Sequence, residues 1–100
     1  MIRRLVFRPQ ARLEILEAAD WYASREEGLG SEFRRAVEAC LASIERNPRH
    51  HPRVHGEVRR AALRRFPYGI IYTVDDTEIV IVACIHARRD PKRWKDRLHG

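Results

Sequence analysis

At 100 residues and 11.8 kDa, the chain has room for one small domain spanning 1–100, which excludes a second core or a separate cofactor-binding module. Hydrophobic residues make up 44% and charged residues 34%, a balance that argues for a folded domain and against disorder. The net charge is +6, and it is unevenly placed: through Asn47 eight basic residues meet eight acids, whereas from Pro48 onward twelve Lys and Arg face six acids.

Ile2 to Arg8 reads as a short strand on its β-branched and aromatic content. Pro9 suits the first turn of a helix, and helical spacing runs from Gln10 to Glu27. Ala11, Ile15, Ala18 and Tyr22 form its apolar stripe, widened by Leu16, Ala19 and Ala23. Gly28 and Gly30 are expected to stop this helix. Ser31 is a candidate N-cap for a second helix reaching Arg46, with Phe33, Val37, Cys40, Leu41 and Ile44 inward. Asn47-Pro48 ends that helix, and the short connection predicts an antiparallel hairpin.

Pro48 to Glu57 carries two prolines, a glycine and three histidines and reads as a loop. Three strand-like runs follow. Val58 to Arg65 is rich in arginine, with Leu63 as its main apolar anchor. Tyr68 to Val74 and Thr77 to His86 are β-branched, and Asp75-Asp76 between them signals a hairpin turn. The last run is apolar on both faces, which places it centrally beneath the helical hairpin. Asp90 to Leu98 predicts a short basic helix. The resulting fold class is α+β, in the order β-α-α-β-β-β with a helical tail and a mainly antiparallel sheet.

Chemistry concentrates near the C-terminus. His86 closes the most apolar strand and leads into Ala87-Arg88-Arg89-Asp90-Pro91, then Trp94 and Arg97. A rigid strand end feeding a short loop is a good support for convergent side chains. Histidine can act as general acid or base near neutral pH, and arginine can clamp an anion. Arg59, Arg60, Arg64 and Arg65 can complete a basic surface, and Trp94, Tyr68 or Tyr72 can supply a stacking platform. Structural alternatives stay open: Trp94 can pin the tail to the sheet, and Arg88 and Arg89 can pair with Asp90 and Asp96.

Other residues point elsewhere. Trp21 falls off the inner stripe of the first helix and reads as an exposed anchor for a partner. His50, His51 and His55 lack accompanying Cys or well-spaced acids, so no metal is expected there. Cys40 and Cys84 read as small core hydrophobes. The chain has no phosphate-cradling glycine loop, nucleophile elbow or zinc-protease helix, and no cofactor is expected. No apolar run approaches the ~20 residues of a membrane span, and no signal-peptide block follows Met1. The expectation is therefore a cytoplasmic protein with no membrane partner.

Taken in order, Ala18-Ala19-Asp20-Trp21-Tyr22, Gly28-Leu29-Gly30, Asn47-Pro48, Arg64 to Tyr72, and His86-Ala87-Arg88-Arg89-Asp90-Pro91 with Trp94 and Arg97 resemble the RelE/ParE superfamily of type II toxin–antitoxin toxins. The likeness is to its ParE-like, plasmid-stabilisation branch and covers nearly the whole chain. It implies a toxin neutralised by a cognate acidic antitoxin, with which it forms a hetero-oligomer, and inhibition of DNA gyrase as the activity. Under that reading Arg64, Arg88, Arg89, Trp94 and Arg97 bind the target, while Trp21, Arg59 and Arg60 meet the antitoxin. The superfamily also contains ribosome-dependent mRNA endonucleases. If the chain were one, Arg65 would clamp phosphate and His86 would serve as acid or base. A toxin without activity, acting only with its antitoxin in operon repression, is a third possibility.

Overall fold

A computed structural model describes residues 2–89 and 91–99. Strand β1 (Arg4–Phe7) leads into helix α1 (Pro9–Arg25), which runs through a tight connection into helix α2 (Leu29–Arg46). Four strands follow: β2 (Arg53–His55), β3 (Val58–Ala62), β4 (Tyr68–Val74) and β5 (Glu78–His86). Helix α3 (Lys92–Lys95) and a 3₁₀ turn (Asp96–His99) complete the chain. The sheet order is β1-β5-β4-β3-β2. Only β1 runs parallel to its neighbour, in register from Arg4 opposite Glu78 to Phe7 opposite Ile81, and the other pairings are antiparallel. The α+β class, the helical hairpin and the interior place of β5, between β1 and β4, agree with the pattern in the sequence.

The helical hairpin closes differently from the expectation. Gly28 takes a left-handed φ of 86°, and α2 begins at once at Leu29, so Ser31 lies inside the helix and caps nothing. Gly30 is not a stop signal. A Cβ there would lie 2.8 Å from the Ala19 carbonyl oxygen and 2.9 Å from Ala23 Cβ, so its missing side chain lets the two helices touch. Ala11, Ala18 and Ala19 are buried on α1, whereas Leu16 and Ala23 are exposed. Small residues on one helix thus meet Phe33, Val37, Cys40 and Ile44 on the other. Full burial of a residue such as Phe33 stabilises by about 1.5–3 kcal/mol.

The arginine-dense strand is also shorter than its pattern suggests. It ends at Ala62, and Arg64 and Arg65 lie in the turn to β4, with Arg65 at a φ of 71°. The Leu63 N–H donates to the Tyr68 carbonyl, and the Tyr68 N–H to that of Phe66, which closes the turn. Phe66 is anchored within 4.8 Å of Tyr22 and 5.2 Å of Phe33, measured between ring centroids. The loop after α2 holds the unexpected strand β2. It is tied down where the Tyr72 hydroxyl donates to the Pro48 carbonyl at 2.6 Å. Arg59 Nη1 also donates there, to the carbonyls of Arg49 and His51 at 2.9 and 2.6 Å.

Both faces of β5 are buried, by different elements. The helices cover Ile79, Ile81 and Cys84. The C-terminal tail covers Val82, Ala83 and Ile85, with Trp94 only 3% exposed. A β-bulge reconciles the two faces: Ile71 lies opposite Ala83 and Tyr72 opposite Ile81, so Val82 has no partner on β4. Among the described residues no helix is long and apolar enough to cross a membrane.

Candidate target- and partner-binding site

Strand β1 stops short of the end of β5. Its last backbone link is the Arg8 N–H to the Ile81 carbonyl at 2.9 Å, so β5 beyond Ile81 has no strand on that side. Two side chains stand in for one. Glu14 Oε1 accepts the Cys84 N–H at 3.0 Å, as a strand carbonyl would. Arg97 Nη1 donates to the Val82 carbonyl at 3.0 Å, as a strand amide would. The two groups also bind each other, at 3.0 Å through Nη1 and Oε1 and 2.8 Å through Nη2 and Oε2. Paired charges of this kind satisfy buried backbone groups that would otherwise carry a desolvation cost.

Above this pair lies a groove of about 720 Å³ between α1 and the end of β5. Trp21 and Tyr22 wall it on the helix side, Tyr68 and His86 on the sheet side, and Arg89 at its mouth. Trp21 is 51% exposed and held in place, with the Arg25 guanidinium 4.6 Å from its ring centroid and Tyr22 edge-on at 5.1 Å. Burial raises the pKa of Tyr22 and of Tyr68, so both hydroxyls stay neutral and can donate. Exposed aromatic surface beside a polar rim is a common anchor for a partner chain.

His86 sits where this groove meets a second cavity of about 200 Å³ on the opposite face of the sheet. Its ring lies edge-on to Tyr68 at 5.3 Å. Its Nδ1 accepts the Arg88 N–H at 3.1 Å. With Nδ1 held by that amide, Nε2 is the ring nitrogen left to meet a ligand.

Several residues expected at a binding surface are committed to the fold. Trp94 packs against the outer face of β4 and β5 and offers no stacking surface, because the apolar face it covers must be kept from water. Arg97 is spent on Glu14 and Val82, with its side chain 15% exposed. Arg59 serves the loop after α2, and Tyr72 is fully buried, with its pKa pushed up to about 12 by burial. Arg60 lies on the outer face of the sheet, away from the groove that Trp21 lines.

The exposed remainder is Arg64, Arg65, Arg88 and Arg89. Arg65 reaches Glu32 at 3.7 Å and lines neither cavity that His86 lines, so the two are not brought together. Arg88 and Arg89 form no ion pair with Asp96 among the described residues, and Asp90 lies outside them. Cys40 and Cys84 are buried thiols pushed up to about 11 and about 12 by burial, which keeps them from acting as nucleophiles. His51 Nε2 meets Ser43 Oγ at 3.2 Å. Among the described residues no group of three His, Cys, Asp or Glu is placed to hold a metal ion.

Two residues central to these sites are absent from the sequence-based candidates. Glu14 falls on the inner stripe of α1 three residues after Ala11, and an acid on a buried stripe is a sign that it has a partner. Gly69 interrupts an otherwise β-branched run, which marks a close approach to the backbone.

A strand-led helical hairpin lying across a mixed sheet is the architecture expected from the resemblance to the toxins of the RelE/ParE superfamily. The family model described as "ParE toxin of type II toxin-antitoxin system, parDE" matches residues 5–91, and the chain belongs to that family. It is thus the toxin of a toxin–antitoxin module, and its partner is a cognate antitoxin. The chain is similar in fold to the structure titled "Chromosomal ParDE TA system from P. aeruginosa", with 18% identity and a TM-score of 0.62 over 85% of this chain and 96% of that one. It is also similar to the YoeB dimer from Staphylococcus aureus, with 20% identity and a TM-score of 0.58 over 86% of this chain and 98% of that one. A search of curated protein sequences finds no match.

Proposed function

We propose that this toxin inhibits DNA gyrase without chemistry of its own, and that an acidic antitoxin neutralises it by laying a segment along the groove between α1 and β5. The observation that carries the choice is the separation of His86 and Arg65, which line no common cavity. Cleavage of RNA needs a group that takes the proton from the attacking hydroxyl beside one that clamps the phosphate. Arg65, the candidate clamp, turns toward Glu32. The ParE family match supports the same reading. Arg64, Arg88 and Arg89 are exposed cations for the target, and Trp21 is the antitoxin's anchor.

Purified toxin added to gyrase should block supercoiling or trap cleaved DNA, and reversing charge in Arg88→Glu with Arg89→Glu should weaken the effect by about tenfold or more. Cutting of ribosome-bound mRNA by the wild-type chain, with gyrase untouched, overturns the proposal in favour of a nuclease. Indifference of both targets, with antitoxin binding intact, overturns it in favour of a corepressor. Trp21→Ala should cost about 2 kcal/mol of antitoxin affinity, the scale of an interfacial hot spot.

A further inference from the structure

The cavity of about 200 Å³ on the outer face of the sheet is lined by three cations, Arg60, Arg89 and Lys95, together with His86. Ile71, Ile85 and Trp94 supply its apolar wall, and among the described residues no carboxylate lines it. The cations come from three separate elements: β3, the loop after β5, and α3. Like charges gathered around one small cavity repel one another, and a bound anion relieves that cost.

Arg60 is not a loose surface arginine. It is half-buried, and among the described residues it has no acidic partner. It projects from β3 opposite Ile71, and its guanidinium lies over the backbone of Gly69. A Cβ at Gly69 would lie 2.5 Å from Arg60 Nε, 2.6 Å from Cζ and 2.7 Å from Nη2. The absent side chain is the seat of the guanidinium. His86 lines the same cavity, and because the Arg88 amide holds its Nδ1, Nε2 is the ring nitrogen left to meet a ligand.

From this arrangement we infer that the outer cavity is a binding site for a phosphate monoester dianion, carried by a free nucleotide or by the end of a nucleic-acid strand. A carboxylate brings one charge and two oxygens, which leaves most of this cationic set uncompensated. A terminal phosphate carries close to two charges near neutral pH and three oxygens that accept charge-assisted hydrogen bonds from several sides. The apolar wall suits the sugar face next to the phosphate, and the cavity is too small to enclose a base as well. The inference does not depend on which macromolecule the toxin inhibits.

The test uses the full chain and two DNA oligonucleotides of one sequence, with and without a 5′-phosphate, titrated at a single salt concentration. The phosphorylated strand should bind about tenfold tighter, the scale of one or two hydrogen bonds to a charged group. Arg60→Gln should erase the difference. Gly69→Ala should erase it as well while keeping every charge, because the new methyl group displaces the guanidinium. Lys95→Gln, outside the sheet, gives the same readout if the β3–β4 variants fold poorly. Adenosine 5′-monophosphate competing at similar concentration assigns the site to free nucleotides, and failure to compete assigns it to strand ends. Equal binding of the two oligonucleotides overturns the inference, as does a preference that survives in Gly69→Ala and Lys95→Gln.

Discussion

The Glu14–Arg97 pair takes the place of a strand along the open edge of β5. Removing either partner leaves a charge in a largely enclosed place, and it also frees the Cys84 amide or the Val82 carbonyl. Arg97→Ala should therefore cost about 3 kcal/mol, read as a lower urea midpoint at unchanged slope. A double-mutant cycle with Glu14→Ala should show strong coupling between the two. His51 gives a second expectation at this scale. Burial, His50 and Arg59 all lower its pKa from the usual 6.5. Between that lowered value and 6.5 the unfolded chain binds a proton that the folded one refuses, so stability rises with pH across this window. It is fully present above 6.5 and lost as pH falls below it. In urea titrations from pH 5 to pH 8, His51→Gln should flatten the dependence. Neither residue's role is visible in local pattern, because each depends on groups from distant segments: Glu14 meets Cys84 and Arg97, and His51 meets Ser43 and Arg59.

Among the elements, the two glycines between the helices separate two physical costs. Gly28 has open space around a Cβ but a left-handed backbone, so Gly28→Ala should destabilise by about 1 kcal/mol. Gly30 has an ordinary helical backbone but sits against Ala19 and Ala23. Alanine there gains helix propensity yet should cost about 1–3 kcal/mol by pushing the helices apart. Thermal unfolding of the two variants would reveal the order. Element identity was legible in the sequence wherever periodicity was long, as in α1, α2, β4 and β5. Boundaries were not, where a tertiary contact decided them. Close packing of Gly30 draws α2 back to Leu29, the buried Phe66 pulls Arg64 and Arg65 into a turn, and the Tyr72 and Arg59 bonds shape a proline-rich loop that ends in β2.

For the whole molecule, the tail is a structural layer and not an appendage. Its basic composition suggested a contact for the target, whereas Trp94 and Leu98 close the outer face of the sheet. Trp94→Ala should cost about 3–5 kcal/mol, and a chain ending at Arg89 should expose Ile71, Val82 and Ile85 and bind a hydrophobic dye. The two tryptophans report separately on this. Trp21 is 51% exposed and Trp94 3%, so in the native protein acrylamide should quench one emission component readily and leave the other protected until unfolding. The fold class and the gathering of cations in the second half of the chain could be seen in composition and order. Which arginines are free could not, because that depends on who occupies the neighbouring space.

The pairing of β1 with β5 also sets when the protein comes into being. The first strand made must wait for Glu78 to Ile81 before it has a neighbour, and the bulge at Val82 waits for Arg97. Until then a growing chain can offer only its helical hairpin, while the sheet lacks the strand that joins β1 to β4. Domains fold as units as their residues become available, so here the surface that carries Arg64, Arg65, Arg88 and Arg89 is acquired only once β5 is complete. A partner that recognises the assembled sheet meets it only after β5 and Arg97 have joined it.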